Sequence, residues 1–194
     1  MIPTSEALAR LKDGNRRFRD GVSRPNPAVS PTERVRLAAG QAPFAAVLGC
    51  SDSRVPVETI FDQGPGDLFV VRVAGNIAAP TQIASLAFAV EKFGTRLVVV
   101  LGHTHCGAVQ ATFEALAADP AADHGPLVER IRPVVEGLVV GGYAPGEEVL
   151  RRAVRANVMA SVAAVRGVIA GEGMLVVAAE YDLETGEVAV LGAD

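Results

Sequence analysis

The sequence predicts an α/β protein: a central, mostly parallel β-sheet of about four parallel strands plus an antiparallel C-terminal edge strand, flanked by helices and preceded by an N-terminal helical arm. Three observations carry this expectation. Four near-continuous aliphatic runs, PFAAVLGC, DLFVVRVAG, RLVVVLGH and MLVVAAEYD, lack polar alternation and read as strands buried on both faces. Helix-like stretches separate the later runs, as βαβ crossovers require. The 194 residues suit one compact unit with a real core, and with no tryptophan that core must be Val, Leu, Ile and Ala. A single domain over residues 1–194 is expected, with 1–40 as arm and connector and 41–194 as the α/β core.

Taken in order, SEALARLKDGNRRF offers Thr4 or Ser5 as an N-cap and places Leu8, Leu11 and Phe18 near one helical face, with Gly14 as a weak point. This segment reads as an arm that packs on something else, with another subunit as one candidate. GVSRPNPAVSP, from Gly21 to Pro31, carries three prolines and reads as an extended connector. TQIASLAFAVEKFG, GAVQATFEALAAD and the long stretch around EEVLRRAVRANVMASVAAVRGVIAG read as helices. The closing YDLETGEVAVL reads as a hairpin through Thr185-Gly186.

Composition excludes several function classes. A net charge of -4 offers no basic excess for nucleic acid. No run reaches the roughly 18 to 20 apolar residues of a membrane span, and the N-terminus lacks a secretory apolar stretch. A soluble, cytoplasmic protein is expected. Two cysteines, Cys50 and Cys106, cannot build a disulfide framework and are expected to be free, metal-bound or catalytic.

Ligands of open parallel sheets gather beyond the carboxyl ends of the strands. Cys50 ends the first run, His103 ends the third, and Cys106 follows three residues later as a helix begins at Gly107. Two thiolates and an imidazole suit Zn²⁺. Three ligands leave a fourth position open, as in catalytic sites, although Asp52, His105 or His124 remains available to fill it. The bland alternative is a pair of buried structural thiols. The placement of both cysteines and a histidine at strand ends favours the metal. In CSDSRVP, Asp52 and Arg54 lie two apart and can meet in an extended turn, where the guanidinium would keep the carboxylate ionised and directed.

CSDSRVP at 50–56, PGDLFVVRVAGN at 65–76 and GHTHCGAV at 102–109 together resemble the β-class carbonic anhydrases. LKDGNRRFRDG, GQAPFAAVLGC, SLAFAVEKFG and YDLETGEV extend the resemblance over most of the chain. It implies Cys50, His103 and Cys106 as ligands of one Zn²⁺ per chain, Asp52 with Arg54 as the catalytic dyad, and Gln41, Phe69 and Gly107 as substrate-binding positions. The implied reaction is reversible hydration of carbon dioxide by zinc-bound hydroxide, with His105 a candidate proton carrier and His124 a solvated loop residue. The implied assembly is a homodimer or dimer of dimers, with no nucleic acid or membrane partner. Val73 stands where many members have Asn, and the absence of tryptophan beside the presence of Gln41 implies the branch whose Asp stays off the metal. A hydrolase of carbon disulfide or carbonyl sulfide, a non-catalytic zinc-stabilised protein and a thiol redox protein are the alternatives.

Overall fold

A computed structural model describes residues 2–24, 30–144 and 146–192. The sheet has the order β2-β1-β3-β4-β5. Its strands are β1 (Ala45–Gly49), β2 (Leu68–Arg72), β3 (Leu97–His103), β4 (Leu175–Tyr181) and β5 (Val188–Leu191). β1 runs parallel to β2 and β3, β3 runs parallel to β4, and only β5 is antiparallel. The expected sheet and closing hairpin are therefore both present. Every residue of β1 and β3 is buried, which is why these runs show no polar alternation.

Successive strand residues point to opposite faces. Val47, Leu97, Val99, Leu101, Val177 and Ala179 meet α1 (Thr4–Arg19) and α3 (Val57–Ile60) on one face. Ala46, Leu48, Val98, Val100 and Ala178 meet α4 (Pro80–Phe93) and α7 (Glu147–Arg166) on the other. A third cluster, beyond the strand ends, joins α5 (Gly107–Ala118), α6 (Pro126–Val140) and α7 around Phe113, Leu116, Ile131, Val135 and Val154. No helix among the described residues is long and apolar enough to cross a membrane.

Three departures from expectation stand out, beside the packing of the arm. The N-cap of α1 is Pro3, with no side-chain cap bond, rather than Thr4 or Ser5. The arm lies on its own sheet, burying Ala7, Leu11, Gly14 and Asn15. Gly14 is the contact point: a Cβ there would stand 1.8 Å from the carbonyl oxygen of Phe61. The connector does not stay extended through Pro31, because α2 (Pro31–Ala38) begins there. Ser30 accepts from the N–H of Glu33 at 3.1 Å, and proline is tolerated in the first turn, where its missing donor is not needed. Residues 25–29 of that connector lie outside the described residues. Finally, α6 was not anticipated, since Pro126, Pro133 and Gly137 mask its apolar stripe.

Replacing Gly14 with Ala should lower stability by about 1–3 kcal/mol, the usual range for overpacking, despite the better helix propensity of alanine. Urea unfolding of the two proteins measures the difference.

Candidate metal centre

Gly49 pairs with Leu101, so Cys50, one residue further, stands one step short of the level of His103. His103 closes β3, and Cys106 occupies the N-cap position of α5. The three residues are buried, and their ligand atoms all lie within 4.8 Å of one another. A zinc ion at bond lengths of about 2.1–2.3 Å needs ligand separations of roughly 3.5–3.8 Å, inside that limit.

His103 is oriented for such a role. Its Nδ1 lies 2.9 Å from the carbonyl oxygen of Thr104, which leaves Nε2 as the free lone pair. That Nε2 is buried without a hydrogen-bond partner, as an atom awaiting a metal would be. Thr104 is held in turn: its N–H donates to the Tyr181 carbonyl at 2.9 Å, and its Oγ1 accepts from Leu183 at 3.0 Å.

The sulfurs are tuned as a pair. The neighbouring Cys106 thiol, then His103 and the N–H groups of Asp52 and Gly75, hold Cys50 down to about 4 against the opposing effect of burial. Those two N–H groups lie 3.4 and 3.3 Å from Cys50 Sγ. Cys106 moves the other way, pushed up by the Cys50 sulfur and by burial, although the first-turn N–H groups of Val109 and Ala108 favour its thiolate. Backbone N–H donors thus favour a thiolate at Cys50, and a divalent cation would draw the remaining proton from the pair.

Asp52 and Arg54 meet as their spacing suggests. Asp52 Oδ1 accepts from Arg54 N–H at 2.9 Å and Nε at 3.0 Å, and Oδ2 accepts from Nη2 at 2.7 Å. Arg54 Nη2 also reaches the His105 carbonyl at 3.1 Å. The Arg54 guanidinium holds the Asp52 carboxyl well below the usual carboxylate range. Asp52 Oδ2 lies 3.9 Å from His103 Nε2, beside the metal position but outside the group of three. The other candidates for a fourth ligand face elsewhere: exposed His105 lies 3.7 Å from Glu184, and half-buried His124 meets the Asp119 carbonyl at 2.7 Å.

Gly107 opens α5 directly after Cys106, with nothing within 4 Å of where a Cβ would stand. Gln41 and Phe69 are not brought to the group within the chain. Gln41 is exposed in the segment before β1, whereas Cys50 follows its far end. Phe69 pairs with Ala46, roughly 13 Å along the strand from Cys50. Its ring packs with Phe88 and Phe93 at centroid distances of 6.2 and 6.0 Å. Sequence reasoning gave no role to Arg72, whose Nε and Nη2 donate to the carbonyls of Cys50 and Asp52 at 2.8 and 2.6 Å. Its position at the end of the second apolar run, beside the first, was the available signal.

Fold and site together define an α/β protein with a Cys-His-Cys group that could hold a metal ion at the carboxyl edge of a parallel sheet. The carbonic anhydrase family profile matches residues 45–188. The chain is 40% identical over 181 residues to carbonic anhydrase 2 of Mycobacterium tuberculosis, covering 91% of this chain and 87% of that protein. It is 38% identical over 196 residues to the carbonic anhydrase of Mycolicibacterium smegmatis, covering 96% and 94%. Among solved structures, a tetrameric β-carbonic anhydrase of Sordaria macrospora superposes with a TM-score of 0.70 at 27% identity, covering 97% of this chain and 98% of that one. The chain belongs to the β-carbonic anhydrase family.

Because the pairing with Arg54 lowers the folded pKa of Asp52 below its unfolded value near 3.9, that pairing stabilises fully above this pH and is lost as pH falls through the folded value. The stability difference between wild type and Asp52→Asn should therefore shrink on acidification below about pH 4. Urea unfolding across roughly pH 2 to 7, which takes the protein well below the unfolded carboxylate value, checks it.

Proposed function

We propose that this protein is a zinc enzyme that catalyses the reversible hydration of carbon dioxide, CO₂ + H₂O giving bicarbonate and a proton. The observation that carries the reading is the Cys50, His103 and Cys106 group with the Asp52 carboxylate at its open side, 3.9 Å from His103 Nε2. A Cys₂His set with a free fourth position is a known catalytic arrangement for zinc. Zinc held there supplies a Lewis acid that acidifies water at neutral pH.

The chain's own residues do the rest. Asp52 accepts a hydrogen bond from the attacking water and turns it toward the substrate. Arg54 engages both carboxylate oxygens, so Asp52 stays ionised and directed and does not swing onto the metal. Arg72 and the Arg54 contact to the His105 carbonyl hold the backbone on both sides of the dyad. Gly107 leaves open space beside Cys106 for a small linear substrate. Because two ligating sulfurs are anionic, activity should rise toward alkaline pH.

Gln41 and Phe69 lie too far from their own chain's metal group to touch its substrate. We assign their binding roles to the site of an adjoining subunit in a homodimer or dimer of dimers. Half-exposed Phe88, beside Phe69, supports an apolar contact there. The chain as a whole acts as one domain, and its free cysteines suit a reducing cytoplasm.

Stopped-flow CO₂ hydration between roughly pH 6.5 and 9, with metal analysis of the same sample, tests the reading. About one zinc per chain and hydration rising with pH are expected. Asp52→Asn should keep its zinc while losing about tenfold or more in hydration. Full zinc with no hydration at any pH would point to a different small substrate, such as carbon disulfide. Light scattering after size exclusion reports the assembly.

A further inference from the structure

Helix α7 passes behind the metal group and buries two polar side chains there. Asn157, 3% exposed, donates from Nδ2 to the Gly75 carbonyl at 2.7 Å. One turn further, Ser161 Oγ donates to the Asn76 carbonyl at 3.1 Å. The acceptors belong to the 3₁₀ turn Ala74–Asn76, where Gly75 (φ 69, ψ 16) and Asn76 (φ 44) both lie in the left-handed region. Two consecutive residues of this kind persist only where their surroundings hold them. Ile131 closes the other side, since its Cδ1 stands 2.8 Å from where a Cβ on Gly75 would be. The turn presents one group to the metal centre: the N–H of Gly75, buried and 3.3 Å from Cys50 Sγ.

We propose that Asn157 is a positioning residue for the metal centre, holding the Gly75 carbonyl so that the Gly75 N–H stays aimed at Cys50 Sγ. The inference rests on the metal-centre reading. The N–H bond offsets part of the thiolate charge and fixes the direction from which the sulfur can bind a cation. Asn157 thereby acts on a ligand it does not touch, through the two peptide units that meet at the Gly75 Cα. A purely structural fastening would stabilise α7 against the turn without altering the sulfur. The two roles separate by measurement.

The test uses the full-length protein loaded with zinc, and the ¹⁵N-labelled protein loaded with ¹¹³Cd. In wild type, a scalar coupling between cadmium and the Gly75 amide proton is expected across the N–H···S bond. Asn157→Ala should abolish it and speed zinc release to a chelator about tenfold or more. Val162→Ala, a buried truncation on the same helix that packs in the sheet-side cluster, should lower stability yet keep the coupling and the release rate. Should Asn157→Ala fail to fold, Asn157→Asp, isosteric but lacking the Nδ2 donor, is read in the same way. Absence of the Gly75 coupling in wild type overturns the inference, as does identical behaviour of the Asn157 and Val162 variants. A wild type that binds neither metal overturns the metal-centre reading and this inference with it.

Discussion

Two sulfurs and an imidazole nitrogen within 4.8 Å of one another form a group that repels itself once both sulfurs are ionised. Much of the nearby architecture serves to keep it together. Backbone N–H groups from Asp52 and Gly75 converge on one sulfur, and the N-terminus of α5 faces the other. Adjacent parallel strands bring these pieces to one edge, because a parallel sheet ends all its strands on the same side. The glycine turn and α7 then close the back of the site. The ligands thus come from two stretches of chain, Cys50 after β1 and His103 with Cys106 at and after the end of β3, and neither could assemble the group alone.

The Asp52–Arg54 pair has a different physical character. An exposed ion pair contributes little to stability as a rule, and Arg54 is half exposed. What distinguishes this pair is anchorage. The guanidinium is tied to the His105 carbonyl, and the Asp52 backbone is tied to Arg72. The carboxylate is therefore presented to the metal side in one direction, and its value lies in orientation rather than in binding energy.

Legibility in the sequence followed burial and period. β1 and β3 were readable because strands covered on both faces carry uninterrupted aliphatic runs, and Cys50 and His103 were readable because they end those runs. α4, α5 and α7 showed themselves between the runs, whereas prolines and a glycine concealed α2 and α6. Gly14 was misjudged because propensity sees only the helix, while the contact with Phe61 depends on what the helix lies against. The distance of Gln41 from the metal group was implicit in the sequence: residues on opposite sides of one strand cannot share an end of it. The partnership of Asn157 with Gly75 spans 82 positions and needed the three-dimensional structure.

Asn15 joins the first helix to the last hairpin. Its Nδ2 donates to the Gly186 carbonyl at 2.8 Å, and its Oδ1 accepts from the Val188 N–H at 2.9 Å, across separations of 171 and 173 residues. On the ribosome, α1 emerges well before the groups that satisfy Asn15. At synthesis rates of about 5–20 residues per second, these partners appear some ten to thirty seconds apart. Until then the apolar stripe of Ala7 and Leu11 has no finished sheet to cover. Helix α1 is thus a late-docking element, and the nascent chain carries an uncovered apolar surface that chaperones can engage until the closing hairpin appears.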